Sequence, residues 1–268
     1  MSDHRPDHRP DRHHRYRRYV ALGDSQTEGV GDGDDTTGLR GWADRLAERL
    51  AAANPGLGYA NLAVRGRLAG QIHARQLAPA LELRPDLATV VAGMNDLIRP
   101  GFDADRVAGH LEAMFAALTA AGARVATLTF PDVSRITPLA RPLAPRVAVL
   151  NARIRAAARR HGVLVAETHG HPVVADPRLW SADRLHASPL GHQRIADAVA
   201  HALAVPGADD SWTAPLPPVR PHGPLDATVT ELRWAATFLG PWVGRRLRGR
   251  SSGDLRTAKR PELLPVTG

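Results

Sequence analysis

Tyr19-Val20-Ala21-Leu22-Gly23-Asp24-Ser25-Gln26 is the stretch on which the reading of the fold turns. Four apolar residues make a run of buried-strand length, and Gly23 stops it. Asp24-Ser25 is then turn chemistry with a hydroxyl in it. The pattern recurs along the chain. Leu87 to Ala92 is a second apolar run, halted at Gly93-Met94-Asn95-Asp96. Tyr59 to Ala63, Arg124 to Phe130 and Val163 to Glu167 read as further strands. Helical periodicity fills the intervals. Trp42, Leu46, Arg49 and Leu50 share a face that stops near Asn54-Pro55-Gly56, and Val107, Leu111, Met114, Phe115 and Leu118 share another. Helices are also expected around Leu68–Leu77, from about Arg146 to Arg160, and from Pro189 to Leu203.

Strands alternating with helices imply an α/β domain with a mostly parallel sheet covered on both faces. Ligands of such sheets sit in the crevice outside the carboxyl ends of the strands. Ser25, Asn95 and Pro131-Asp132 all follow predicted strand ends, so they are expected to face one crevice. Residues 131–145 hold four prolines and no periodicity, and are expected to form a loop on its rim.

The wider composition narrows the classes. The 268 residues are 43% hydrophobic but only 4% aromatic, which predicts a core of Ala, Val and Leu. No apolar run approaches the ~20 residues of a membrane-spanning helix. Met1-Ser2-Asp3-His4-Arg5 has no apolar h-region, so no secretory signal is expected and the cytoplasm is the expected location. The absence of Cys excludes disulfides, thiolate metal sites and a cysteine nucleophile. The net charge of +8 belongs to the ends. Residues 1–18 carry six Arg against three Asp, and residues 241–268 carry seven Lys or Arg against Asp254 and Glu262, which leaves zero for residues 19–240. A neutral centre has no basic face for nucleic acid, so no nucleic-acid partner is expected.

Four segments follow. Residues 1–18, with Asp-His-Arg-Pro repeated at 3–6 and 7–10, are a basic His/Arg-rich tail expected to be disordered. Residues 19–203 form the α/β domain. Residues 204–250 are a Pro-rich linker or wrapping arm leading into an apolar-basic extension. Within it, Leu232, Trp234, Phe238, Leu239 and Trp242 precede Arg245-Arg246-Leu247-Arg248. Residues 227–250 are expected to dock on the domain or on a second copy, with peripheral membrane binding as the competing reading. Residues 251–268 are expected to be a disordered tail.

A serine hydroxyl is a weak nucleophile until an oriented base takes its proton. Asp183-Arg184-Leu185-His186 offers a carboxylate and an imidazole three residues apart, just before a predicted helix. Taken alone this is weak, since one of 13 histidines is expected to have such an Asp by chance. Gly31-Asp32-Gly33-Asp34-Asp35 lacks the ligand spacing of an EF-hand calcium loop and reads as an acidic loop beside the site. His169 and His171 read as part of a polar loop after the last strand. Ser25 sits outside the Gly-x-Ser-x-Gly elbow of α/β-hydrolases.

Four blocks in order give the chain its resemblance. They are Ala21 to Gly29 around Ser25, Asn61 to Gly66, Gly93 to Asp96, and Asp183 to His186. Together they resemble the SGNH, or GDSL-type, esterase and acylhydrolase family over residues 19–203. The resemblance implies a flavodoxin-like three-layer α/β/α domain with a five-stranded parallel sheet. It implies Ser25 as nucleophile, His186 as base and Asp183 as its orienting carboxylate. It also implies an oxyanion hole built from the Ser25 and Gly66 N–H groups and the Asn95 amide. The expected activity is hydrolysis of a small-molecule carboxylic ester, with neither metal nor organic cofactor. Two alternatives stay open: an acyltransferase using the same acyl-enzyme, and a noncatalytic membrane- or partner-binding protein on the same fold.

Overall fold

The computed structural model describes residues 16–136, 138–218, 237 and 253–266. In chain order the elements begin with β1 (Arg18–Gly23), α1 (Ser25–Glu28), the small hairpin β2 (Gly33–Asp34) and β3 (Gly38–Leu39), α2 (Trp42–Ala53) and β4 (Gly58–Asn61). They continue with α3 (Ala69–Glu82), β5 (Leu87–Val91), α4 (Met94–Leu97), α5 (Ala104–Ala120) and β6 (Arg124–Leu128). The last are α6 (Ala144–Arg160), β7 (Leu164–Ala166), α7 (Pro189–Ala202) and β8 (Arg260–Pro265).

The main sheet runs β7-β6-β5-β1-β4-β8. Its first five strands are parallel, and their order in space reverses direction at β1 and β5. That reversal is the switch point where such sheets open a ligand crevice. Helices α2 and α7 pack together on one face, and α3, α5 and α6 on the other. Both faces being covered, β5 is buried at all five positions. Each helix turns a stripe inward: Trp42, Leu46 and Leu50 on α2, and Val107, Leu111, Met114 and Leu118 on α5. Asp103 caps α5 by accepting from the Asp105 and Arg106 N–H groups. The Pro-rich stretch 131–145 carries two short 3₁₀ turns, Val133–Arg135 and Pro138–Leu143, before α6 begins.

The five parallel strands expected are present, and β8 adds a sixth, antiparallel one, so residues 253–266 are ordered against the sheet where a disordered tail was expected. β8 pairs antiparallel with β4. Without it β4 would present a row of unpaired peptide groups at the sheet edge. Charged side chains fasten the segment: Lys259 Nζ to Asp44 at 2.6 Å, Arg256 to Asp35 at 2.5 Å, and Arg260 Nε to the Tyr59 carbonyl at 2.8 Å. Gly253 lies so close to the Arg65 carbonyl that a Cβ there would collide with it. In sequence the strand is hidden because Arg260-Pro-Glu-Leu-Leu-Pro has no apolar alternation and carries two prolines, which only an edge strand tolerates.

Residues 204–218 wrap the domain through a 3₁₀ turn, Asp210–Thr213, whose Trp212 is buried edge-on against His171. The basic tail up to residue 15 and nearly all of the 227–250 stretch lie outside the described residues. Among the described residues no helix is long and apolar enough to cross a membrane.

His192 joins the α2–α7 layer to the loop after α1. The Trp42 N–H donates to its Nδ1 at 3.1 Å, so the proton sits on Nε2, which donates to the Val30 carbonyl at 3.1 Å. The ring is fully buried, and burial pulls its pKa down to about 4. The unfolded chain, with an ordinary imidazole near 6.5, therefore binds more protons than the native one between the two values. Stability from this group is complete above about pH 6.5 and is lost as pH falls toward 4, on the order of 3 kcal/mol in all. Urea unfolding from pH 7 to pH 4.5 is expected to show this loss, and His192→Gln to flatten it; equal slopes in the two proteins would refute the assignment.

Candidate active site

The site is assembled at the carboxyl end of β1. A buried amide sets where the chain goes next: the Gly23 N–H donates to Gln76 Oε1 at 2.9 Å, and Gln76 Nε2 donates to the Gly23 carbonyl at 2.9 Å. Gln76 comes from α3 and is 5% exposed, so both backbone groups of Gly23 are satisfied without water. Ser25 then opens α1, with Asp24 as its N-cap, and is 9% exposed.

Ser25, Gly66, Asn95, Asp183 and His186 all line one cavity of about 350 Å³. Five residues from four sequence blocks are thus brought together. Asp183 Oδ2 lies 2.6 Å from His186 Nδ1. Its other oxygen accepts from Ser181 Oγ at 2.6 Å and from the Leu185 and His186 N–H groups at 2.9 and 3.0 Å. One carboxylate therefore fixes both the ring and the backbone of His186. Burial alone would raise the Asp183 carboxyl, but the hydrogen bond and charge of His186 with the Ser181 hydroxyl outweigh it and hold it well below the usual carboxylate range. An ionised Asp183 requires the proton on Nδ1, which leaves Nε2 with its lone pair. The Ser25 hydroxyl and His186 share the cavity without a direct hydrogen bond between them; such bonds commonly tighten only around substrate.

Gly66 holds φ +75°, a backbone conformation that favours glycine. The turn carrying it is clasped from below by Glu28, which is 4% exposed. Glu28 accepts from the Arg65 N–H at 2.6 Å and from its guanidinium at 2.8 and 3.0 Å, while Asp35 takes the same guanidinium at 2.9 Å. Asn95 Nδ2 donates to Asp24 Oδ2 at 3.0 Å and to the Arg67 carbonyl at 3.1 Å, so its amide ties the ends of β5 and β1 together. Burial pushes the Asp24 carboxyl up to about 6, against the pull of the Gln26 N–H, the His186 charge and the Asn95 amide.

The acidic loop is spoken for by protein groups. Asp32 pairs with Arg45 at 2.5 Å, Asp34 caps the Thr36 and Thr37 N–H groups, and Asp35 holds Arg65 and Arg256. His169 Nδ1 lies 3.1 Å from the Phe130 carbonyl, and His171 packs on Trp212. Neither histidine lines the cavity.

Gln26 is the positioning residue that sequence reading passed over. Its Nε2 donates to the Leu185 carbonyl at 3.1 Å, and its Oε1 accepts from the Ala187 N–H at 3.3 Å. The residue after Ser25 thus grips the chain on both sides of His186. Only a contact across 159 positions reveals this.

A family model described as the GDSL-like lipase/acylhydrolase family matches residues 21–194. Comparison with curated proteins returned no match. Among solved structures, an α/β hydrolase enzyme, LAE5, from the metagenome of Lake Arreo, Spain, superposes with a TM-score of 0.60 at 23% identity. That alignment covers 70% of this chain and 95% of the other. Axe2, an acetylxylan esterase from Geobacillus stearothermophilus, gives 0.60 at 18%, covering 73% and 95%. A lipase/acylhydrolase from Enterococcus faecalis gives 0.57 at 20%, covering 70% and 95%. At these identities the likeness is one of fold.

Where the name-giving tetrapeptide ends in Leu, this chain has Gln26. Gln26→Leu keeps the volume and removes both amide contacts, each worth about 1 kcal/mol. Turnover of a short-chain p-nitrophenyl ester is expected to fall about tenfold in kcat with KM nearly unchanged, since orientation rather than binding is lost. A kcat equal to wild type would remove Gln26 from the machinery.

Proposed function

The chain belongs to the GDSL-like lipase/acylhydrolase family and is an esterase-type hydrolase, and from that premise we propose that it cleaves carboxylic esters through an acyl-enzyme on Ser25. The observation that carries the reading is the 2.6 Å contact between Asp183 and His186 Nδ1 in the cavity that also holds Ser25. His186 Nε2 takes the Ser25 proton as Oγ attacks the ester carbonyl, and the ring then hands that proton to the departing alkoxide. Water repeats the attack on the acyl-enzyme and releases the acid. Asp183 stays ionised and steadies the imidazolium.

Negative charge collects on the carbonyl oxygen during both attacks, and donors that already point at it act most strongly. The Ser25 N–H belongs to the first turn of α1, where helical N–H groups have no acceptor within the helix. With it we assign the Gly66 N–H and the Asn95 amide to the oxyanion. Arg65, clamped by Glu28, keeps the Gly66 turn in register. Asn95, tethered to Asp24 and the Arg67 carbonyl, must share or exchange one of those bonds to serve. Transfer to an alcohol in place of water uses the same acyl-enzyme, and an acceptor-dependent ester product would mark it.

Ser25→Ala is expected to lower ester turnover by at least about 10⁴-fold and to abolish labelling by a serine-directed phosphonate. Equal turnover in mutant and wild type would end the acyl-enzyme reading. kcat/KM is expected to fall on the acid side, because a protonated imidazole cannot accept the serine proton. Asp183, held below the carboxylate range, remains ionised across that fall, so its own protonation is not the cause.

A further inference from the structure

The strand β8 brings a further piece of chain to the site. It runs antiparallel to β4 with Arg260 opposite Asn61, so its first residue lies beside the carboxyl end of β4. That end is the edge of the sheet at which the crevice opens. The residues leading into β8 therefore meet the turn after β4, which carries Gly66. They lie outside residues 21–194, the stretch shared with the family.

Residues 253–256 hold that turn on both sides of Gly66. The Arg67 guanidinium donates to the Gly253 carbonyl at 3.2 Å. Gly253 is itself buried, and a Cβ on it would sit 1.8 Å from the Arg65 carbonyl oxygen. The Arg256 N–H folds the segment back by donating to the Gly253 carbonyl at 3.2 Å. Its guanidinium takes both oxygens of Asp35, at 3.0 and 2.5 Å, and Asp35 Oδ1 also accepts from Arg65 Nη2 at 2.9 Å. Glu28 of α1 grips the same arginine.

The Arg65 carbonyl and the Gly66 N–H are two ends of one peptide group. That group is planar and trans, so the two point in opposite directions and turn together. Whatever abuts the carbonyl oxygen therefore sets the aim of the N–H. A donor aimed at a developing oxyanion is worth roughly 10²–10³ in turnover, and a misplacement of ~1 Å can cost about 10². We propose that residues 253–256 position the Gly66 N–H for the oxyanion, with Gly253 setting the plane of the Arg65–Gly66 peptide and Arg256 anchoring the segment through Asp35. This rests on the assignment of that N–H made above. Gly253 and Arg256 are positioning residues, drawn from chain that the family's shared stretch does not include.

The test is kcat and KM for a short-chain p-nitrophenyl ester, using the full chain with Gly253→Ala, Arg256→Ala, Arg256→Lys and Lys259→Ala. Each kcat is taken per phosphonate-labelled serine, so unfolded protein does not count. Gly253→Ala is expected to lower kcat about tenfold or more and Arg256→Ala about threefold, with KM within about twofold of wild type. Arg256→Lys is expected to recover most of the smaller loss. Lys259→Ala also loosens β8, but away from the Gly66 turn, and is expected to keep the wild-type kcat. The pH midpoint of kcat/KM is expected to be the same in all, since none of these residues touches His186. Wild-type kcat in Gly253→Ala, or an equal fall in Lys259→Ala, would overturn the positioning role and leave the hydrolase reading standing. No ester turnover by the wild type, with no phosphonate labelling, would overturn both.

Discussion

The peptide group of Gly23 is the point from which the rest of the site hangs. At the end of a strand inside a covered sheet, backbone N–H and carbonyl groups run short of partners, and neither can be left bare in the core; the Gly23 carbonyl takes only a 3.3 Å bond from the Val64 N–H of the neighbouring chain. Gln76 reaches from α3 and satisfies both. The chain can then turn sharply enough to start α1 at once, with Ser25 at its first position. The same device recurs two strands away. Asn151 of α6 takes the N–H and carbonyl of Phe130 at 2.8 Å each, just past β6. Helices on one face of the sheet thereby determine how strands end, and strand ends determine what faces the crevice.

Carboxylates then do two opposed jobs around one cavity. Asp183, supplied with hydrogen bonds and an imidazole partner, is held in its charged form. Asp24, one residue before the proposed nucleophile and nearly as deep as the core, is pushed toward its neutral form by burial. Environments that separate the protonation of like groups are a recurrent mark of acid–base machinery. Glu28 serves neither purpose. It spends its charge on Arg65, so a buried ion pair takes the part of backbone support beneath Gly66. Sign, depth and partner together decide what each acid does.

Much of this was legible in the residues. Strand–helix alternation indicated the class of fold, and turn residues after apolar runs put Ser25 and Asn95 at the sheet edge, where the cavity lies, whereas Asp183 and His186 stood out only beside the other blocks. Asp183 and His186 lie three positions apart, so their contact is local and open to inspection. What escaped was long-range. Gln76 meets Gly23 across 53 positions, and Gln26 meets Leu185 across 159. Nothing in local composition distinguishes either glutamine from one on a solvated face. The edge strand escaped for another reason. Its residues are held by Lys259, Arg256 and Arg260 rather than by an apolar face, so hydrophobic patterning, the primary signal for a strand, was absent.

That edge strand has a bearing on the order of events during synthesis. The five parallel strands and the helices that cover them are complete by residue 202, and nothing in their pairing waits for β8. β4, by contrast, stays open along one side until residues some two hundred positions further on have been made. During that interval a nascent domain offers a bare sheet margin to whatever strand is near, another ribosome's product included. Arrival of β8 closes the margin and, through Arg256 and Gly253, settles against the acidic loop and the Arg65 turn. The final stretch of chain to reach the sheet is thus also the one that braces the support of Gly66, so maturation of the site trails the folding of the domain that carries it.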